Sequence, residues 1–558
     1  MNNLVKRLKN LDTYRYIISV IVILEAIYRT IEFTNAPSNM VQAEMFRPLC
    51  YNIGILVLVN MDIKTWLNLW SLIYIPVCYV FTHFAYQKHW IFDINNYEFP
   101  HIIRMGKIVI LIWGVILISI IRHIIKNKSW KQIKSYNPFL LCTLGLYFLC
   151  ILLFKRHYDE MLFFMVEVIG ISFILANKER RKMIIQALLD AIILSFFYVM
   201  YRCLRHRPFD LERYDLVFSN SNNGGEYIAC VVIAFFVKIS NWWSKADVKK
   251  WIKITALVIY YILLGITLSV TMFNYTRTTI AGLGFAFILG LVMEVIGAAK
   301  KKEKKKGVFA KYGFAILSLV LTFNITYLGL RWIPAYYAAN VDQPILYVGE
   351  DNNPSKVHFG DSMYSPKYTT MGSYLRTVFG KWGILIKFDD DKQSEGQTEK
   401  VEFDGRDITS GRMEIWHMFL SHYNMTGHYP FHLFNDKGEI IAHSHNSYIM
   451  VGYMLGIIAG ILYIVFNVLA FLYSVIMFAR EDDKDKTYFF AFLIITTCFI
   501  SQVAEWISRP QYSMYLVFVF GLGLILTNKK KAKETESKEI EAIEIEAIEI
   551  EESETSNL

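Results

Sequence analysis

Apolar runs long enough to cross a bilayer recur from residue 16 to residue 527, with short polar breaks and one long gap at 334–445. A helix of roughly 17–25 apolar residues spans the hydrocarbon core. By that measure about fourteen runs qualify, at 16–33, 49–61, 66–86, 104–125, 138–154, 161–176, 183–204, 226–243, 251–274, 278–298, 312–333, 447–479, 487–507 and 511–527. The second is short for a span. The twelfth is longer than one crossing needs, which a bent or re-entrant start would explain. With 54% hydrophobic residues and a mean hydropathy of +0.32, the chain is too apolar for a soluble protein of 558 residues. The expected fold is an all-α polytopic membrane protein with about fourteen transmembrane helices in one large membrane domain.

Lysine and arginine orient such a chain, because basic loops stay on the cytoplasmic side. With "KRLKN" at the N-terminus inside, the alternate loops read "RHIIKNKSWKQIK", "NKERRK", "KADVKKWIK", "KKKEKKKGVFAK" and "REDDKDK", and the tail beginning "NKKKAK" also falls inside. The expected topology is therefore N-in and C-in. The net charge of +9 is mostly this lysine, so it serves orientation and contact with anionic membrane lipids, with no nucleic acid as partner. The first apolar run has no small-residue cleavage site and reads as a retained anchor. The seven cysteines lie in or beside spans without paired spacing, as apolar packing residues do.

The domain plan follows: helices 1–11 over 1–333, an extracytoplasmic loop over 334–445, helices 12–14 over 446–527 and a cytoplasmic tail over 528–558. The loop holds turn-forming, charged sequence such as "GEDNNPSKVHFGDS", and a loop so much longer than its neighbours is usually functional or disordered. Within it, "SGRMEIWHMFLSHY" (410–423) places Met413, Trp416, Phe419, Leu420 and Tyr423 at amphipathic-helix spacing, with Ser410 as a cap. Residues 389–400 look flexible. The tail repeats Ile, Glu and Ala at a period suiting neither helix nor strand and reads as disordered.

Charged groups on the outer side need a reason. "RCLRHRPFDLER" (202–213) carries Arg202, Arg205, Arg207 and Arg213 but no lysine. Guanidinium forks grip phosphate oxygens in a way a lysine cannot; pairing with Asp210, Glu212 and Asp215 is the equal alternative. "FSNSNNGGEY" (218–227) reads as a turn or as the lining of a sugar-sized cavity. Arg277 stands at the outer start of the tenth span, as a snorkelling residue or a ligand-binding one. Arg412 opens the amphipathic helix, where the helix dipole favours acids, so an external anion explains it better.

Six of the thirteen histidines lie between 417 and 445. His428 and His432 are four apart, but Pro430 spoils helical ligand geometry and no acidic cluster completes a metal site. His443 and His445 differ, standing at the mouth of a span. A neutral imidazole there can take a proton from a hydroxyl, while a polar cap for a helix beginning near Asn446 is the plainer role.

Two stretches carry a family resemblance. "SGRMEIWHMFLSHYNMTGHYPFHLF" followed by "AHSHNSYIMVGYMLGIIAGILYIV" resembles the signature region of the O-antigen ligase and O-antigen polymerase superfamily, and "YTRTTIAGLGFAFILGL" resembles its earlier Ser/Thr-Arg element. The resemblance covers roughly 215–475. It departs from the family pattern where Gly456 is followed by Ala459 and Gly460. It implies a glycosyltransferase of the bacterial cytoplasmic membrane, acting on the outer face without metal or other cofactor. The donor would be a polyprenyl-diphosphate-linked glycan, and the acceptor a hydroxyl of a glycan or lipid. By position, Arg277 and Arg412 match the family's diphosphate-binding arginines and His445 its catalytic histidine; His443, Asn446, Arg202, Arg205 and Arg207 are auxiliary candidates. Transfer by one direct displacement implies inversion, and no paired outer carboxylates suggest double displacement. Two other classes compete. A lipid-linked glycan transporter should show two similar halves, which this sequence lacks. A metal-dependent oligosaccharyltransferase needs acids in the first outer loop, where Glu44 stands nearly alone.

Overall fold

A computed structural model describes residues 11–33, 41–87, 100–126, 137–154, 158–207, 209, 214–218, 220–246, 248–300, 305–341, 345–348, 354–357, 412–428, 433–434, 438, 440–441, 443–481, 486–503 and 513–526. Ser410, residues 389–400 and the tail lie outside them. In chain order the helices are α1 (Leu11–Phe33), α2 (Val41–Asn60), the single turn α3 (Ile63–Trp66), α4 (Leu69–Gln87), α5 (Pro100–Lys126), α6 (Pro138–Phe154), α7 (Tyr158–Ala176) and α8 (Lys178–His206). They continue as α9 (Ser221–Ser244), α10 (Lys250–Asn274), α11 (Arg277–Lys300), α12 (Lys305–Val341), α13 (Arg412–Ser421), α14 (Ser447–Leu455), α15 (Ile457–Ala479), α16 (Thr487–Ser501) and α17 (Ser513–Leu526). Two antiparallel pairs, β1 (Ile345–Val348) with β2 (Pro354–Val357) and β3 (Leu433–Phe434) with β4 (Ile440–Ile441), are the strands among the described residues.

Every apolar run falls on a helix, as it must where lipid offers the backbone no hydrogen-bond partner. Among the described residues seven helices are long and apolar enough to cross a membrane, with shorter apolar helices beside them. Two boundaries differ from expectation, and the bent start expected of the twelfth run is present. The short second run belongs to a longer helix, because Val41–Asn60 continues through the polar residues Gln42, Glu44 and Arg47 that ended the run. α12 passes Pro334 and reaches Val341, so the long connection begins later than residue 334. The twelfth run is two helices, broken at Gly456.

The centre of the bundle is α9, α16 and α17. All of Thr487–Cys498 and Met514–Leu526 is buried. Around it, α4, α5, α11 and α12 turn large apolar side chains outward, among them Trp70, Phe81, Ile288 and Ile325. In water such a surface would be a liability; in lipid it is the expected exterior. Small residues let backbones approach: a Cβ at Gly265 would stand 2.4 Å from the Ser318 carbonyl oxygen of α12. Two lysines inside the bundle are paired, Lys238 with Asp190 at 2.6 Å and Lys311 with Glu294 at 2.5 Å, because an unpaired one is costly there.

Helix ends meet in two groups. At one end Arg180 binds Asp62 (2.5 Å), Arg181 donates to the Tyr488 hydroxyl (2.8 Å), and the Asn137 N–H donates to the Leu526 carbonyl (2.7 Å). At the other, Arg202 binds Glu32 (2.9 Å), the Tyr214 N–H donates to the Phe273 carbonyl (3.0 Å), and the Ser447 N–H donates to that of Gln502 (2.8 Å). Each contact joins ends that alternating crossings bring to the same side. The first group adjoins the basic loops.

Candidate active site

At the end away from the basic loops, α14 begins behind a polar cap. The Asn446 side chain accepts from the Ile449 N–H (3.2 Å), and the buried Ser444 hydroxyl donates to the Asn446 carbonyl (2.9 Å). The cap role weighed for His443 and His445 falls instead to Asn446. Asn446→Ala is expected to lower stability by about 1 kcal/mol, read as a lower thermal midpoint. Unchanged stability would overturn the cap role.

His445 precedes the cap in left-handed backbone, at φ 50°, a conformation histidine adopts more readily than most residues. Its N–H donates to His443 Nδ1 at 3.3 Å, and the two rings lie 3.8 Å apart at 60°. His445 Nδ1 is buried with no hydrogen-bond partner among the described residues. Burial first, then His443 and the Arg412 guanidinium, lower the His445 pKa to about 3, so the ring is neutral at pH 7. Arg412 is thereby placed within electrostatic reach of His445, although thirty-three residues separate them in sequence.

α13 carries Arg412 at its first residue and packs on α14. Phe419 is fully buried, edge-on to Tyr453 at 4.8 Å. The chain then folds over the break between α14 and α15. The Tyr423 hydroxyl donates to the Ile449 carbonyl (2.6 Å), the Ile457 N–H donates to the Asn424 carbonyl (3.0 Å), and the His428 N–H donates to the Met454 carbonyl (3.2 Å). The His428 ring stacks on Tyr453 at 4.2 Å, with Nδ1 3.0 Å from the Tyr453 carbonyl. These bonds satisfy backbone groups that a broken helix leaves open. His428 is thus a structural histidine; His432 lies outside the described residues. Sequence reading missed this strap, whose only signal was the excess length of the twelfth run.

Arg277 opens α11 just after left-handed Tyr275 (φ 58°). The turn before it is locked to the start of α9: Asn274 Nδ2 donates to the Tyr214 and Ser221 carbonyls (both 2.9 Å), and the Thr276 hydroxyl donates to Ser221 (2.9 Å). A Cβ at Gly225 would meet Thr276 at 2.7 Å. "FSNSNNGGEY" is therefore a capped helix start, with Asn220 accepting from the Asn222 N–H at 2.8 Å, and its glycines permit close packing. Farther along α11, the missing Cβ of Gly282 lets the helix lie on α16, 2.9 Å from the Thr497 carbonyl and 3.1 Å from the Ser501 hydroxyl. The end of α16 in turn receives the Ser447 N–H through Gln502. α11, which Arg277 opens, and α14, which His445 precedes, thus both abut the end of α16.

Arg202 and Arg205 of α8, and Arg207 just beyond it, lie elsewhere at this end. Arg207 is buried, donating to the Phe218 carbonyl (3.0 Å) and pairing with Asp215 (3.4 Å), as the ion-pair alternative held. Arg202 binds Glu32 of α1 and the Tyr198 hydroxyl (3.1 Å), and Arg205 donates to Tyr201 (2.9 Å). Asp210 and Glu212 lie outside the described residues.

The end of the bundle thus holds a neutral imidazole within the field of the Arg412 guanidinium, with Arg277 at the start of α11 on the same end. Such a set can take a proton and stabilise an anion. No family model, no curated protein and no solved structure matches the chain.

Proposed function

We propose that the chain is a metal-independent, inverting membrane glycosyltransferase. It transfers or polymerises a polyprenyl-diphosphate-linked glycan onto an acceptor hydroxyl at the outer face of the bacterial cytoplasmic membrane. The reading rests on the convergence of Arg412, His443 and His445, at the end that also carries Arg277. The lysine-rich loops set that end outside, with both termini in the cytoplasm.

Arg277 and Arg412 hold the donor's diphosphate. As the anomeric C–O bond breaks, negative charge grows on the departing diphosphate, and fixed guanidinium groups stabilise it most at that stage. The acceptor oxygen bonds to the anomeric carbon from the opposite face, and its proton passes to His445. A base whose pKa is about 3 is weak in the free enzyme. A diphosphate beside Arg412 opposes the cation's field and makes the ring more basic when the donor is bound. The acid limb of kcat, which reports the complex, is therefore expected at higher pH than that of kcat/KM, which reports the free enzyme. Coincident limbs would remove this substrate-linked activation.

The direct test supplies lipid-linked repeat units to the purified protein and sizes the product. A ladder identifies a polymerase, and single addition to a distinct acceptor identifies a ligase. Translocation of the donor without a new glycosidic bond would replace this function with transport.

A further inference from the structure

A base works only if its ring is held toward the proton it takes, and the backbone beside His445 is bound to the end of α16. The last carbonyls of a helix have no partner within it. Two of those at the end of α16 are taken by the start of α14. The Ser447 N–H donates to the Gln502 carbonyl (2.8 Å), and the Tyr448 hydroxyl donates to that of Phe499 (2.8 Å). Ser447 and Tyr448 are the second and third residues after His445. The positions of these two carbonyls therefore set where the backbone beside His445 lies.

The carbonyls are held in turn by buried side chains. Gln502 is fully buried. Its Oε1 accepts from the Tyr463 hydroxyl, and its Nε2 donates to Asn467 Oδ1 at 2.9 Å. Asn467 Nδ2 donates to the Tyr463 carbonyl at 2.8 Å. Tyr463 and Asn467 are buried one turn apart on α15, so Gln502 is gripped from two points of one helix face. The Tyr448 ring lies 5.9 Å from that of Tyr463, which brings the same tyrosine against the start of α14. Amides buried in a membrane bundle are costly unless hydrogen-bonded, and apolar side chains would fill this space without that cost. What a satisfied amide network adds is one defined geometry, where apolar packing tolerates several.

We propose that Gln502 is a positioning residue for His445: its amide, clamped by Tyr463 and Asn467, fixes the α16 carbonyls that hold the start of α14, and with them the placement of the imidazole. The catalytic consequence rests on the transfer reading of this end, whereas the placement rests on the contacts alone.

Two variants of the detergent-purified full-length protein test it. Gln502→Met keeps the length of the side chain and removes its amide, and Tyr463→Phe keeps the ring and removes its hydroxyl. Diethyl pyrocarbonate, which acylates neutral imidazole, is added, and its rate of attachment at each histidine is followed by mass spectrometry. Both variants are expected to raise the rate at His445 several-fold. The rate at His428, half-buried near the other end of α14 and stacked on Tyr453, should stay native. In transfer assays kcat should fall by roughly tenfold to a hundredfold, the scale of a base displaced by about 1 Å. The donor KM should change by less than about twofold, since both arginines remain. Combining the two changes should cost little more than Gln502→Met alone, because they remove one shared hydrogen bond. An unchanged rate at His445 in both variants overturns the positioning role, however far the thermal midpoint falls. An equal rise at His428 overturns it too, as general loosening. A rise confined to His445 with native kcat keeps the placement and overturns the transfer reading instead.

Discussion

His445→Ala is expected to reduce the rate of glycan transfer by roughly 10²–10⁴, the range removed with a positioned general base. Arg412→Ala and Arg277→Ala should each cost about 10²–10³ in kcat, as loss of a preorganised contact to developing charge does. Lysine in place of either arginine should restore little, because an ammonium lacks the planar fork that grips two phosphate oxygens. Arg412 also has a second signature. Its cation helps hold the His445 pKa down to about 3. Removing it favours the protonated ring, so the acid limb of kcat/KM in Arg412→Ala should move to higher pH. A purely structural role would leave that limb in place. Should all three alanine variants transfer glycan at the native rate, this end of the bundle is not the reaction centre.

What the sequence made legible follows from what each feature depends on. Hydrocarbon forces the backbone to satisfy itself within each crossing, so apolar length alone located the helices. α2 escaped in part because Gln42, Glu44 and Arg47 interrupt its apolar run while the helix continues. The spacing of 410–423 anticipated a helix, α13, but of its expected apolar face Phe419 is buried against Tyr453 while Met413 and Leu420 are exposed. The partners of the candidate residues were harder to see. Asp215 lies eight residues from Arg207 and was weighed as its partner, whereas Glu32 lies 170 residues from Arg202 and gave no local signal. The strap over Gly456 works largely through backbone carbonyls and N–H groups, which every residue has, and its side-chain contacts, Tyr423 and His428, reach residues more than twenty positions away.

Gly456 carries the second large expectation. Its backbone, at φ 94° and ψ 161°, lies in a region that essentially only glycine occupies. A Cβ there would also stand 2.2 Å from the Met425 carbonyl oxygen, which is rigid backbone of the strap. Gly456→Ala therefore combines about 1–3 kcal/mol of conformational strain with a steric conflict relieved only by lifting residues 424–428 off the helix break. The Ile457–Asn424 and His428–Met454 bonds would go with them, and α13 would lose the anchor that follows it. Two effects should appear together: a destabilisation of roughly 3 kcal/mol or more, the sum expected for strain plus lost backbone bonds, and at least tenfold less transfer as Arg412 leaves the reach of His445. Gly427→Ala tests the other side of the contact, since its φ is 75° and its Cβ would fall 2.0 Å from the Met454 carbonyl oxygen. Gly284→Ala is the counter-case, a helical position whose Cβ meets nothing within 4 Å. Alanine there should be neutral or stabilising by up to about 1 kcal/mol. A thermal midpoint for Gly456→Ala equal to that of Gly284→Ala would mean that the break closes into continuous helix at no cost. The strap would then have no part in keeping Arg412 within the electrostatic reach of His445.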